Sequence, residues 1–409
     1  MKNRIAVRSI IGTENYAIYD ILMPNIIIAQ KEEIDAAILH IQQNTISTTA
    51  IKNAFLSSHG KINTIYVILT NACNLACDYC FTHENISTGN MNLQTANHLV
   101  NRIKEYMNGF SENLTITFYG GEPIINIDIA LFIMDELLQY PNIKFQLVTN
   151  GTLLDINTIY KLVKYPLLIG VSLDGYESLH NSHRKYINGN DTYSDVTKAI
   201  SMLVANNCDV SLSITLTNEI INNQNIFFTW LNDLKINKIT FNLLRCVFNS
   251  EQAAHDYYSK AATFLYEFYK YHKEKNIFEY NIFNRLKCLY DNTILYAECA
   301  ASSGNQITID TAGNLFTCQI YRKNTAKIGT IIDTSFNAIS LPLTKETKPI
   351  FSDYCDGCYA LPVCGGGCPV QAKQLCKKKT DSPSIDPSIC YFSKKIMDYA
   401  LQDIIELTH

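Results

Sequence analysis

The 409-residue sequence predicts an α/β protein: a partial (β/α)6 TIM-like barrel, with a small α+β region before it and a cysteine-rich part after it. Three observations carry this prediction. Six short runs rich in Val, Ile, Leu and Phe recur at 65–69, 114–118, 145–148, 167–171, 210–216 and 239–243. Amphipathic stretches separate them, as where Leu99, Val100, Ile103, Tyr106 and Met107 align on one helical stripe. Many of the fourteen cysteines fall at short, repeated spacings, mostly near the C-terminal end.

In chain order, residues 1–62 hold strand-like runs at 4–11, 16–22 and 26–29, then helical patterns at 31–43 and 48–58. This α+β region suits either recognition of an extended peptide at a sheet edge or a cap on the barrel. Residues 63–245 are the barrel: successive β/α units specify a parallel sheet with right-handed crossovers, and six units fall short of a closed eight. Residues 246–296 carry two long helical patterns rich in Tyr and Phe that bridge to a cysteine-rich domain at 297–409 with an amphipathic last helix.

Composition narrows the function. A net charge of -4 and a pI near 6.1 give no support for a nucleic-acid partner. No apolar run approaches the roughly 18 residues of a membrane span, and residues 1–16 lack the apolar stretch of a secretory signal, so a cytoplasmic protein without a membrane partner is expected. In that compartment clustered cysteines read as metal ligands rather than disulfides. The basic run Lys377 to Lys379 reads as a solvated helix face, and the nine histidines form no metal-binding motif.

The densest chemistry follows the first barrel strand. Cys73, Cys77 and Cys80 stand at C-x3-C-x2-C spacing just after the run 65–69, at a strand's C-terminal end, where α/β enzymes place reactive groups. Three thiolates can hold three corners of a cubane iron-sulfur cluster and leave the fourth iron open for chemistry. The alternative is structural zinc, which needs a fourth ligand; His83 is the one local candidate. About 40 residues on, after the run 114–118, comes the turn Gly120-Gly121-Glu122-Pro123, whose glycines allow close backbone approach and whose carboxylate can accept from an ammonium.

With Tyr79 at its aromatic position, the cysteine loop resembles the signature of radical S-adenosylmethionine (radical SAM) enzymes, and the Gly-Gly-Glu-Pro turn resembles the family segment that meets the methionine amino group. The resemblance implies that Cys73, Cys77 and Cys80 bind a 4Fe-4S cluster that reductively cleaves S-adenosyl-L-methionine to a 5′-deoxyadenosyl radical. It also implies cofactor contacts at Thr149 and Asn150 and at Ser172 and Asp174, two further strand ends, with Ser172 facing the ribose. Arg184 is the candidate for the methionine carboxylate, a surface salt bridge being the alternative.

Farther on, Cys299, Gly313, Cys318, Cys355, Cys358, Cys364, Cys368 and Cys390 resemble the SPASM extension, found in radical SAM enzymes that modify peptides. By that resemblance Cys355, Cys358, Cys364 and Cys390 hold one auxiliary 4Fe-4S cluster, with Cys376 the alternative to Cys390. Cys299, Cys318 and Cys368 hold a second, making three clusters in all. Either Cys288 completes the second, or one iron stays open to a substrate thiolate. Cys208 and Cys246 are expected in the core.

Two enzyme branches share these features. Sulfatase-maturating relatives place an aspartate base directly after the Gly-x4-Cys cysteine; here that position is Gln319, which cannot accept a proton. The expectation is therefore a maturase that cross-links a ribosomally made precursor peptide, by a thioether in preference to a carbon-carbon bond because an open auxiliary iron would bind a substrate thiolate, fed by a reductant such as flavodoxin or ferredoxin. A formylglycine-forming sulfatase maturase is the alternative, and a non-enzymatic iron-sulfur or zinc scaffold is a third reading.

Overall fold

The computed structural model describes residues 3–58, 61–80, 89–339, 348–375 and 385–406. His83, Cys376 and the run Lys377 to Lys379 lie outside the described residues. The chain forms two compact units, one of residues 60–244 and 304–342, the other of residues 1–59, 245–303 and 343–409.

The second of these begins with an antiparallel sheet of β1 (Ile5–Ser9), β2 (Tyr16–Asp20) and β3 (Met23–Ala29), in that order. β3 starts earlier than the apolar run 26–29 suggests, because Met23 pairs with Asp20 across a tight turn. Pro24 is tolerated there because β3 is an edge strand. Ile18 and Ala29 pack on Ala37 and Ile41 of the helix Ile34–Gln43. The long helix Glu251–His272 starts where the Ser250 side chain accepts from the Ala253 N–H. It packs on the final helix Pro387–Glu406, where Tyr266 stacks on Tyr399 at 4.4 Å between ring centroids.

The other unit contains the barrel sheet. β4 (Thr64–Thr70), β5 (Leu114–Gly120), β6 (Ile143–Thr149), β7 (Leu167–Ser172), β8 (Asp209–Leu216) and β9 (Lys238–Leu243) pair in sequence order, every pair parallel. The six apolar runs are therefore six adjacent strands. Ile65, Val67, Ile68 and Leu69 of β4 are all fully buried, which explains why this strand reads as a continuous apolar run rather than an alternating one. The stripe Leu99, Val100, Ile103, Tyr106 and Met107 is the buried face of the helix Leu93–Met107, each large side chain contributing about 1.5–3 kcal/mol of burial.

One extension is not legible in the sequence. The strand Gln306–Ile309 pairs in parallel with β4, and Asn314–Phe316 and Gly329–Thr330 continue the sheet antiparallel beyond it. Strands of two to four residues are too short to show periodicity, so only pairing defines them. Among the described residues no helix is long and apolar enough to cross a membrane.

Candidate active site

The parallel register brings the C-terminal ends of β4 to β8 to one edge of the sheet, and the predicted cofactor residues follow those ends. The cysteine loop leaves β4 at Thr70 and is held in an extended pairing with residues 183–187. The Ala76 N–H donates to the Lys185 carbonyl (2.8 Å), the Asp78 N–H to the His183 carbonyl (3.3 Å) and the Ile187 N–H to the Asn74 carbonyl (3.2 Å). Cys73, Cys77 and Cys80 are electrostatic neighbours. Burial pushes the Cys77 thiol up to about 11 against the pull of Arg184, and Cys80 and Cys73 add to the rise. Burial likewise raises the Cys73 thiol, whose sulfur accepts from the Leu75 N–H (3.4 Å) and lies 3.9 Å from the Asn150 amide nitrogen. Among the described residues, no three His, Cys, Asp or Glu side chains meet at single-ion spacing.

The end of β5 is stitched to that loop. The Gly121 N–H donates to the Thr70 carbonyl (2.9 Å) and the Glu122 N–H to the Ala72 carbonyl (2.8 Å). A Cβ on Gly121 would stand 2.3 Å from the Ala72 carbonyl oxygen, so no other residue fits without moving the backbone. The Glu122 side chain is fully buried. Its Oε1 accepts from Thr149 Oγ1 (2.7 Å) and the Ile124 N–H (3.0 Å), and its Oε2 from the Asn150 N–H (2.7 Å). Burial pushes this carboxyl up to about 7 despite those hydrogen bonds and Arg184. The group read from the sequence as an ammonium acceptor is thus also a brace joining the ends of β5 and β6. Pro123 opens the short turn Pro123–Asn126 behind it.

A polar lattice continues across the strand ends. Asn150 donates through Nδ2 to Asn74 Oδ1 (2.9 Å) and accepts at Oδ1 from the Thr152 N–H (2.9 Å), while Asn74 Nδ2 donates to Thr152 Oγ1 (2.8 Å). Ser172 closes β7, and Asp174, two residues on, is fully buried. Its carboxylate accepts from Arg184 Nε (2.7 Å), the Thr215 N–H (2.8 Å) and the Tyr79 hydroxyl. Arg184 lies 5.4 Å from the Tyr79 ring centroid. The surface salt bridge given as the alternative role of Arg184 is instead a buried pair: the Arg184 side chain is 11% exposed and that of Asp174 0%.

The histidines expected to be ordinary polar residues include two that act on this lattice. His180 is neutral: burial, then Arg184, pushes it down to about 4. Its Nδ1 accepts from the Asp174 N–H (3.2 Å), so Nε2 carries the proton toward Thr192 Oγ1 (3.0 Å), whose hydroxyl donates to the Arg184 carbonyl (2.7 Å). His183 is opposed by burial, but Asp78 and Glu219 outweigh it and hold its pKa above the usual value. His180, Thr192, Asn74 and Thr152 were not singled out from the sequence. His180 and Thr192 lie in segments, 179–185 and 189–193, that resemble those of peptide-modifying relatives, but each of the four acts through a tertiary hydrogen bond that the sequence does not show.

The unit of residues 1–59, 245–303 and 343–409 gathers most of the other predicted ligands. Burial raises the thiols of Cys355 (to about 12), Cys364 and Cys390, and neighbouring cysteines of the same set add to each rise. Gly365 lets the cysteine-rich turn lie against the backbone of Ala297 and Glu298, where a Cβ would come within 2.4 Å of the Glu298 nitrogen. That contact sits beside Cys299. The Glu298 side chain is buried and pairs with Arg285 at 2.7 Å and Arg245 at 3.2 Å. Cys288 donates to the Asn284 carbonyl (3.3 Å), and the groups that shift its thiol include no cysteine. Cys208 is half-buried, not a full core residue. Cys246 departs from expectation too: its thiol donates to the Cys368 sulfur, so it is not a lone core side chain. In the barrel unit, Cys318 accepts from the Ile320 N–H (3.4 Å), and the adjacent Gln319 Oε1 accepts from Gln306 Nε2 (2.8 Å).

Three thiols on one loop at barrel strand ends are a soft donor set that fits a cubane with one iron free, and Asn150 supplies a donor to one of its sulfurs. Residues 67–223 match the model of the radical SAM superfamily, so the chain carries a radical SAM domain. It is 24% identical to a cysteine-type anaerobic sulfatase-maturating enzyme of Clostridium perfringens, over 83% of this chain and 96% of that protein. Its fold is similar to that of anSMEcpe solved with bound AdoMet and Cp18Cys peptide, at a TM-score of 0.70, 20% identity, and coverage of 84% of this chain and 98% of that one. It is also similar to Streptococcus suis SuiB bound to its precursor peptide SuiA, at a TM-score of 0.56, 15% identity, and coverage of 95% and 98%.

Proposed function

We propose that this chain is a radical SAM peptide maturase that installs a cross-link, thioether or carbon-carbon, in a ribosomally made precursor peptide. When bound, S-adenosylmethionine and the cluster on Cys73, Cys77 and Cys80 supply a 5′-deoxyadenosyl radical. The chain's own residues hold and orient. Glu122 and Asp174 lock the ends of β5, β6, β7 and β8 so that Asn150, Ser172 and Arg184 face a common edge. Arg184, fixed by Asp174 on one side, keeps a guanidinium for a carboxylate. Cys355, Cys358, Cys364 and Cys390 would hold an auxiliary cluster that accepts the electron left on the substrate.

The observation that carries the branch is Gln319. Its amide oxygen already accepts from Gln306, and an amide cannot take a substrate proton, which counts against formylglycine formation. A sulfatase maturase is the second reading, favoured by the likeness to the Clostridium perfringens enzyme over nearly its whole length. The neighbouring gene separates the two readings: a short, cysteine-bearing open reading frame supports the first and an adjacent sulfatase the second, and anaerobic co-expression with that short peptide, followed by mass spectrometry, tests the proposal. The expected product is lighter by two hydrogens per cross-link. An unmodified peptide, together with formylglycine on a sulfatase-derived peptide, would replace the first reading with the second.

A further inference from the structure

Cys246 stands in the left-handed region, at φ +62°, a conformation an L-cysteine adopts only when its surroundings impose it. Both its backbone polar groups are held: the N–H donates to Gln371 Oε1 (3.0 Å) and the carbonyl accepts from Gln374 Nε2 (2.9 Å). This clamp aims its thiol at Cys368, whose sulfur accepts from it and from the N–H groups of Gln371 and Val370. Arg245 precedes it. Its guanidinium pairs with Glu298 through Nη2 at 3.2 Å, while Nη1 is buried with no hydrogen-bond partner. The charges nearest that guanidinium include Cys368 and Cys299. A buried cationic donor left unpaired beside three thiols is costly unless an anionic acceptor occupies the space.

We propose that Cys246 is a ligand of an auxiliary iron-sulfur cluster, alongside Cys368 and Cys299, and that the free Nη1 of Arg245 donates to that cluster's sulfurs. The proposal rests on reading the C-terminal cysteines as auxiliary-cluster ligands and adds a cysteine outside the expected pattern. On binding iron the Cys246 thiol gives its proton to solvent, with no change of oxidation state. Cys246 also replaces Cys288 as the completing ligand, since the Cys288 thiol is engaged with its own helix.

Two measurements on the full iron-loaded chain test this. In the first, alkylation by iodoacetamide is followed by peptide mass spectrometry before and after a chelator strips the iron. Cys246 should react about tenfold or more slowly with iron bound, while Cys208 reacts equally in both states. Equal reactivity of Cys246 in the two states would overturn the proposal. In the second, Cys246→Ala and Cys288→Ala are compared in a Cys73→Ala/Cys77→Ala/Cys80→Ala background that retains only auxiliary clusters. Cys246→Ala should lose about four irons per chain or change the reduced-cluster EPR spectrum, and Cys288→Ala should do neither. The reverse pattern overturns the assignment of Cys246 alone. A background protein holding no iron at all overturns both this inference and the reading beneath it. Cys246→Ser, retaining the shape but replacing the soft donor, should show the same spectral change with an unaltered far-UV circular dichroism spectrum.

Discussion

Replacing Asp174 with Asn removes one charge from the most buried ion pair of the candidate site while keeping the side chain's shape. Asp174 is fully buried and the Arg184 side chain is 11% exposed, with a contact of 2.7 Å at Nε. The amide oxygen can still accept from the Thr215 N–H, but its nitrogen then confronts both Arg184 Nε and the Tyr79 hydroxyl, which donate to the other carboxylate oxygen in the unaltered chain. A buried guanidinium without its counter-charge destabilises by about 3–5 kcal/mol, whereas an exposed pair contributes only about 0.2–1 kcal/mol. The change in urea unfolding midpoint, followed by far-UV circular dichroism under anaerobic conditions, measures the difference. Adding Arg184→Met removes the stranded cation, so the double variant should recover about 1–3 kcal/mol relative to Asp174→Asn alone. A single-variant loss below about 1 kcal/mol, or strictly additive losses in the double variant, would refute the buried-pair account. Both variants should lose S-adenosylmethionine cleavage, because the Arg184 guanidinium is no longer held.

Three further outcomes follow from the same geometry. Gly121→Ala, which forces a Cβ to 2.3 Å from the Ala72 oxygen, should abolish adenosylmethionine cleavage, while Gly109→Ala, with nothing within 4 Å, should leave it unchanged. Glu122 has a folded pKa near 7, above its ordinary value of 4.5, so the native state keeps a proton the unfolded chain has lost. Its stabilising contribution is complete below about 4.5 and declines as pH rises to about 7, and Glu122→Gln should flatten that part of the urea-midpoint profile. Burial opposes the Glu298 carboxylate, but Arg285 and Arg245 outweigh it and hold its pKa below the usual range. Its contribution is therefore present above the ordinary value and lost as pH falls through the depressed one. Glu298→Gln should lower stability by about 3–5 kcal/mol at neutral pH, with the gap from the unaltered chain closing in acid.

Much of this molecule was readable in one dimension, because the signals are local. Six apolar runs became six adjacent parallel strands, and the stripe from Leu99 to Met107 became a buried helix face. The spacing of Cys73, Cys77 and Cys80 and the turn at Gly120 and Gly121 require only a few consecutive residues, so they survive as motifs. The short strands at 306–309, 314–316 and 329–330 do not, since nothing but pairing with β4 and with each other makes them strands.

The order of β/α units and the loop chemistry were thus written into the chain itself, where periodicity and spacing set backbone choice and donor type. Side-chain partners belong to the tertiary structure. Glu122 became a brace, Arg184 entered a buried pair, His180 was held neutral, and Cys246 met Cys368, 122 positions further along the sequence. Each depends on which strand end or turn lies opposite. Burial then decides the charge state of what meets there, and no stretch of neighbouring residues contains that information.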